Sequence, residues 1–277
     1  MSRNRYVKTP AERALAEKFN PEFLPSTLRQ IRAVYETDPE IAAAVLPPPL
    51  RPAARPEVGV TISQVAMQLA PGFDVSIGAA LLGVRAVHEG VEGLYLITMP
   101  MTTEGAVVGG RETYGEPKKL AQIDFDWGSD VISATVTRHG VPYMELRGRR
   151  GEALPAREFT EHAYCFKCLP ALERGKGLEF DPLLVRLEWH HHFARVERMD
   201  GEVILRESMM DPVADLPVRR VVGMTYEEGS TRSGGKVLCS VPAAGFLPFL
   251  HSRYDDIVPM LASLAGADGE EVGASHA

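Results

Sequence analysis

Cysteine is scarce in this chain, with three in 277 residues, and cations are outnumbered, with 30 Lys and Arg against 37 Asp and Glu. So few cysteines agree with a reducing compartment. The formal net charge of -7 argues against a nucleic-acid surface, which needs clustered Lys and Arg to meet phosphate. No apolar run approaches the roughly 20 residues that span a bilayer, which speaks against a membrane protein. The opening stretch, MSRNRYVKTPAERALAEKF, is charged throughout and has no apolar h-region, so the expected location is cytoplasmic. What is present is ordinary globular material: 45% hydrophobic and 24% charged residues, enough for a substantial core.

Short β-branched and apolar segments punctuated by Pro and Gly dominate the pattern. Thr9, Pro10 and Glu12 make a capping box that opens a helix running to about Phe19. LRQIRAVYETD reads as a strand, and DPEIAAAVLPPPL as a short helix stopped by Pro47 to Pro49. VGVTISQVAMQL, DVSIGAALLGVRAV and VEGLYLITMPM follow as strands. DVISATVTRHG and VPYMELRGR predict a hairpin across His139 and Gly140, and Asp200-Gly201 predicts a second tight turn. FLPFLHSRYDDIVPMLASLAG is expected to form a closing helix. With no fixed-period repeat and no long linker, the expectation is one domain over 1–264 and a disordered tail over 265–277. Its fold class is mainly β (α+β): a curled antiparallel sheet or β-barrel with a few peripheral helices.

Two clusters invite a metal reading and resist it. Cys165 and Cys168 form a CxxC, but a strand sends residues three apart to opposite faces, and no second CxxC accompanies it. In WHHHF, His190 and His192 share one face and His191 takes the other, and two ligands do not make a site. No metal and no other cofactor is expected.

GGRETYGEPKKLA, residues 109 to 121, is different. Its glycines fit neither the P-loop nor the dinucleotide fingerprint. Two adjacent ammonium groups repel, and on a strand Lys118 and Lys119 point to opposite faces, so one can enter a barrel while the other stays outside. The stretch resembles the GRE…PKK signature of the acetoacetate decarboxylase family. VYETDPEIAAAVLPPPL at 34–50 and DPVADLPVRRVV at 211–222 are similar to further family segments, in the family's order.

That resemblance implies a β-barrel of acetoacetate decarboxylase type and a small keto acid as substrate. It makes Lys118 the amine that forms a Schiff base, with Lys119 as the neighbouring cation or burial in an apolar pocket as the reason the ammonium is disfavoured. An iminium receives the electron pair of a departing carboxylate as a neutral enamine, which is why such a lysine acts as an electron sink. Met99, in LYLITMPM, is the expected apolar wall. The family's catalytic glutamate aligns with Ser76, with Asp74 two residues earlier on the same strand face. A second family carboxylate aligns with Gln64 across a gap. Arg29 is the nearest candidate for the family's arginine, although ungapped alignment puts Leu28 in that slot.

Three readings follow: a Schiff-base lyase that decarboxylates a β-keto acid or condenses and dehydrates carbonyl compounds with pyruvate, a binding barrel without turnover, and a structural protein. The missing glutamate makes slow decarboxylation the expectation for the first. The family also implies a homo-oligomer of four or more chains.

Overall fold

The computed structural model describes residue 4 and residues 6–18, 25–70, 72–250 and 253–262. Phe19 and the tail expected over 265–277 lie outside these. Helix α1 (Pro10–Lys18) begins with the expected capping box, in which Thr9 N–H donates to Glu12 Oε2 at 3.0 Å and Glu12 N–H to Thr9 Oγ1 at 3.3 Å. β1 (Ser26–Glu36) and α2 (Pro39–Ala44) follow as their sequences predict.

The sheet continues with β2 (Arg51–Pro52), β3 (Glu57–Ala70), β4 (Phe73–His88) and β5 (Val91–Met101). Helix α3 (Glu104–Tyr114) leads into β6 (Lys118–Leu120), then β7 (Gln122–Asp126), β8 (Val131–Arg138), β9 (Val141–Leu154) and β10 (Arg157–Lys167). The long strands β11 (Leu183–Leu205) and β12 (Arg220–Ser240) and the short helix α4 (Ala243–Phe246) complete the order.

All twelve strands belong to one sheet, and seven of them close on themselves. The path β10-β5-β4-β3-β1-β12-β11 is sealed by β10 pairing back onto β11 from Arg157↔Phe193 to Lys167↔Leu183. Among the described residues the only parallel contacts are β5 with β10 and β5 with β6, so the sheet is mixed and curled into a barrel. β11 outruns the ring and carries β9, β8 and β7 as an extension. Alternation then divides the side chains. On β1, Ile31, Ala33 and Tyr35 enter the main core shared with Ile132, Val136 and Leu146 of the extension, while the intervening residues face the barrel interior. Among the described residues no helix is long and apolar enough to cross a membrane.

The hairpin expected at His139 and Gly140 is present, with φ of 49° and 78° as a type I′ turn requires. Asp200-Gly201 is not a turn. β11 runs straight through it, pairing Asp200 with Arg149 and Gly201 with Gly148. The glycine serves a close crossing: a Cβ there would lie 2.3 Å from Arg147 O. The expected closing helix is also broken, into α4, a 3-10 turn at Leu247–Phe249 and a further turn at 258–262.

The histidines alternate as expected, with His190 and His192 exposed and His191 buried. Cys165 joins the core lining the barrel and Cys168 the main core, so the two thiols are on opposite sides of the sheet.

Candidate active site

Lys118 is held in place by the end of α3. Gly115 takes φ of 76°, its N–H donates to Arg111 O at 3.1 Å, and Glu116 N–H donates to Gly110 O at 3.3 Å. This is an αL ending, whose 5→1 bond from Gly115 needs a left-handed residue that glycine supplies without strain. Nothing larger fits, because a Cβ on Gly115 would stand 2.3 Å from Lys167 Cα. Pro117 then turns the chain into β6, where Met99 N–H donates to Pro117 O at 3.0 Å and Lys118 pairs with Met99. Arg111 caps the arrangement by donating to Lys118 O at 3.0 Å.

Lys118 N–H donates to Glu116 O at 2.8 Å, a three-residue turn about Pro117 that brings the two side chains together. Glu116 Oε2 lies 2.7 Å from Lys118 Nζ, with the two side chains only 7% and 11% exposed. Both look into a cavity of about 460 Å³ inside the strand ring. Its apolar wall includes Leu28, Leu81, Met99, Met101, Leu187 and Trp189. Gly110, on the α3 face above, leaves the space that the ion pair occupies: an added Cβ would stand 2.1 Å from Glu116 Oε2 and 2.6 Å from Lys118 Nζ.

The far wall is a buried polar belt. Arg32 makes a two-pronged pair with Glu161 at 2.7 and 2.8 Å. Ser63 donates to Gln30 Oε1 at 2.8 Å and Gln30 Nε2 to Glu227 Oε2 at 2.7 Å, while Arg157 also pairs with Glu227. Burial pushes the Glu161 carboxyl upward, but the charge and hydrogen bonds of Arg32 more than offset this and hold it well below the usual carboxylate range. His191 stacks on Phe193, with its Nε2 3.4 Å from Glu161 Oε2 and no hydrogen bond at either ring nitrogen. Burial pushes the imidazole below its ordinary value against an opposing pull from Glu161, so the ring is held neutral.

The residues singled out in the sequence divide sharply. Lys118 and Met99 line the cavity. Lys119 faces away, where its Nζ donates to Met210 O at 3.0 Å and to Asp211 Oδ1 at 3.1 Å, and Arg138 binds the same aspartate. Its charge is neutralised there, so the geometry gives no support to a second cation acting on Lys118. Asp74 and Ser76 are exposed on the face of β4 opposite the cavity-lining Ile77, Ala79 and Leu81. Arg29 and Gln64 meet each other at 2.9 Å, under Trp127 on the outer face of the ring, not at Lys118. Instead of Arg29, the register sends Leu28, Gln30 and Arg32 inward.

The charged cavity side chains that the sequence reading does not single out are Glu116, Arg32 and Glu161. The spacing Glu116-Pro117-Lys118 carried the signal for the first. For Arg32 it was the alternation of Ile31, Ala33 and Tyr35, which marks the core face and leaves Arg32 on the other. Glu161 had none, since only the closed ring brings β10 beside β1.

The family described as Acetoacetate decarboxylase (ADC) matches residues 8–240. The acetoacetate decarboxylase of Burkholderia vietnamiensis is 34% identical over 206 residues, covering 68% of this chain and 76% of the relative. Among solved structures, the acetoacetate decarboxylase of Legionella pneumophila is similar with a TM-score of 0.66 at 18% identity, over 87% of this chain and 99% of that one. The enduracididine biosynthesis enzyme MppR complexed with pyruvate is similar with a TM-score of 0.64 at 17% identity, over 78% and 90% of the two chains.

Proposed function

The chain belongs to the acetoacetate decarboxylase family, and from that premise we propose that it is a lyase that forms a Schiff base between Lys118 and the ketone of a keto acid. The observation that carries this reading is a largely buried lysine facing a mostly apolar cavity, with a carboxylate at 2.7 Å. The amine adds to the carbonyl carbon and water leaves, giving an iminium at the carbon that bore the oxygen. If a carboxylate stands on the neighbouring carbon, the C–C bond breaks, carbon dioxide departs, and its electron pair becomes the enamine. If that carbon carries a proton instead, losing the proton gives the same enamine, which can attack an aldehyde and then dehydrate. The structural neighbour MppR, complexed with pyruvate, is the support for the second route.

A cavity of about 460 Å³ falls in the range of sites that enclose drug-sized ligands, generous for a four-carbon acid. Leu187, Trp189 and His191 face inward over about 13 Å of β11, an apolar corridor ending in a polar belt. The substrate is therefore a keto acid with an extended substituent, or a keto acid and an aldehyde bound together. Slow decarboxylation is the expectation from Ser76 in place of the family glutamate; Glu116 is a carboxylate beside the lysine that can offset that loss.

Incubation with acetoacetate, pyruvate or a longer keto acid, followed by borohydride, is expected to leave one irreversible adduct per chain, mapped to Lys118 by peptide mass. Lys119→Ala is expected to keep it. Adducts spread over surface lysines, or none with any keto acid, would overturn the reading. An adduct without turnover would favour the binding barrel. Carbon dioxide release and ultraviolet detection of condensation products separate the two routes.

The assembly expected from the family has support in exposed apolar side chains, among them Phe73 at 60%, Val237 at 55% and Leu172 at 93%. A symmetric oligomer would cover such residues. Light scattering at micromolar concentration is expected to give four chains or more, and a stable species of one chain's mass would contradict it.

A further inference from the structure

We infer that Glu116 is the proton carrier of this site, a role that rests on the Schiff-base reading of Lys118 and gives the catalytic carboxylate a different origin from the strand position at Ser76. Two acids line the cavity among the described residues, Glu116 and Glu161. Both oxygens of Glu161 are held by Arg32, at 2.7 and 2.8 Å. A carboxylate so engaged is fixed as an anion and is a poor partner for proton exchange. Glu116 carries no arginine and touches the nucleophile itself.

The helix end makes this contact a built feature. Glu116 directly follows Gly115, the left-handed residue that ends α3; its N–H is fixed by Gly110 O, and Gly110 leaves the side chain its room. Lys118 N–H in turn donates to Glu116 O at 2.8 Å. One short segment thus presents acid and amine together, with Pro117 between them limiting their relative motion. At this separation proton transfer between them needs no rearrangement.

The steps balance as follows. The Glu116 carboxylate takes a proton from the Lys118 ammonium, freeing the nitrogen lone pair that forms the new C–N bond. In the adduct a second N–H proton moves to the new alkoxide, giving the carbinolamine, and Glu116 then returns the first proton to that hydroxyl as the C–O bond breaks and water leaves. Beside the iminium, the same carboxylate takes a proton from the adjacent carbon, and the C–H electron pair becomes the C=C bond of a neutral enamine. On the decarboxylating route the enamine forms without that proton, so Glu116 takes one from solvent and delivers it to the carbon from which carbon dioxide has left. One group therefore serves addition, dehydration and enamine protonation, on either route.

The test reads enamine formation apart from imine formation. Pyruvate and acetone are incubated with the enzyme in D2O, and loss of the methyl proton signal is followed by NMR, with borohydride trapping in parallel. Wild type is expected to exchange and Lys118→Ala to do neither. Glu116→Gln is expected to reach the full Lys118 adduct, more slowly, while exchange falls about 10²- to 10⁴-fold. Glu116→Asp should recover part of the rate. A thermal melt of each variant confirms folding. Exchange in Glu116→Gln close to wild type, with the adduct intact, would overturn the role of Glu116 alone. So would a folded Glu116→Asp as inert as the glutamine variant, since a shorter acid at a proton-transfer site should retain some function. Absence of both adduct and exchange in wild type would overturn the Schiff-base reading and this inference with it.

Discussion

Gly110→Ala is expected to abolish nearly all turnover while leaving the protein as stable as before or slightly more so. The added methyl would stand 2.1 Å from Glu116 Oε2 and 2.6 Å from Lys118 Nζ, where ordinary contacts begin at 3.4 Å. Both atoms are the tips of flexible side chains, so they can withdraw, and the carboxylate must move by about 1 Å. Misplacement of reacting groups on that scale costs on the order of 10²-fold in rate. The backbone effect has the opposite sign. Gly110 lies within α3 with ordinary helical dihedrals, and alanine there is favoured over glycine by up to about 1 kcal/mol. Loss of activity without loss of stability is a signature that general unfolding cannot mimic. The measurements are turnover, borohydride adduct and melting temperature, with Lys118→Ala as the inert standard. A Gly110→Ala enzyme of wild-type rate would show that the tips find an equivalent arrangement and that the pair is less constrained than its surroundings imply.

Glu161→Leu is expected to lower stability by about 3 kcal/mol, or roughly 6 to 12 °C in melting temperature for a protein of this size. It strands Arg32, whose side chain is 16% exposed, beside a cavity wall. The residual partner is Glu227, 3.6 Å from Arg32 Nε, which keeps the effect at the lower end of the range for a broken buried pair. Arg32→Met with Glu161→Leu should recover much of the loss, because replacing both charges by apolar groups removes the stranded ion.

The same cluster fixes the acid response. His191 is held below its ordinary value, chiefly by burial, so the unfolded chain binds a proton there first, and stability declines as pH falls below about 6.5. Glu161 is also held low, by Arg32 against burial, so a further loss sets in below about pH 4.3. Melting temperatures from pH 8 to 4 check both, and His191→Phe should flatten the first decline only. An unchanged slope between pH 6.5 and 5 in that variant would place the proton uptake elsewhere.

Much of this architecture was legible because strands announce themselves by period two and by turn residues whose geometry is demanding. β1, β3, β4 and β5 and the hairpin at His139-Gly140 were of that kind. Helix α3 was not, since GGRETYG reads locally as a loop, and its helicity comes from packing on β5, β6 and β10. Asp200-Gly201 misled because tight turns and close backbone crossings both call for glycine, and only the partner strand tells them apart. The site failed in another way. A register error of one residue reverses the face of a whole strand, which is how Arg29 stood in for Leu28 and Arg32. Lys118 escaped that hazard because its motif is short and its neighbours are fixed by Pro117.

Arg253 lies 138 positions beyond Gly115, yet its guanidinium donates to Gly115 O and to Phe166 O at 2.7 Å each, and Arg111 donates to its carbonyl at 2.8 Å. The turn that carries Glu116 and Lys118 is thus locked by a segment made long after it. At about 5 to 20 residues per second, the ribosome takes about 7 to 28 s to travel from one to the other. For that interval the nascent chain has Lys118 but not the arginine that secures its mounting.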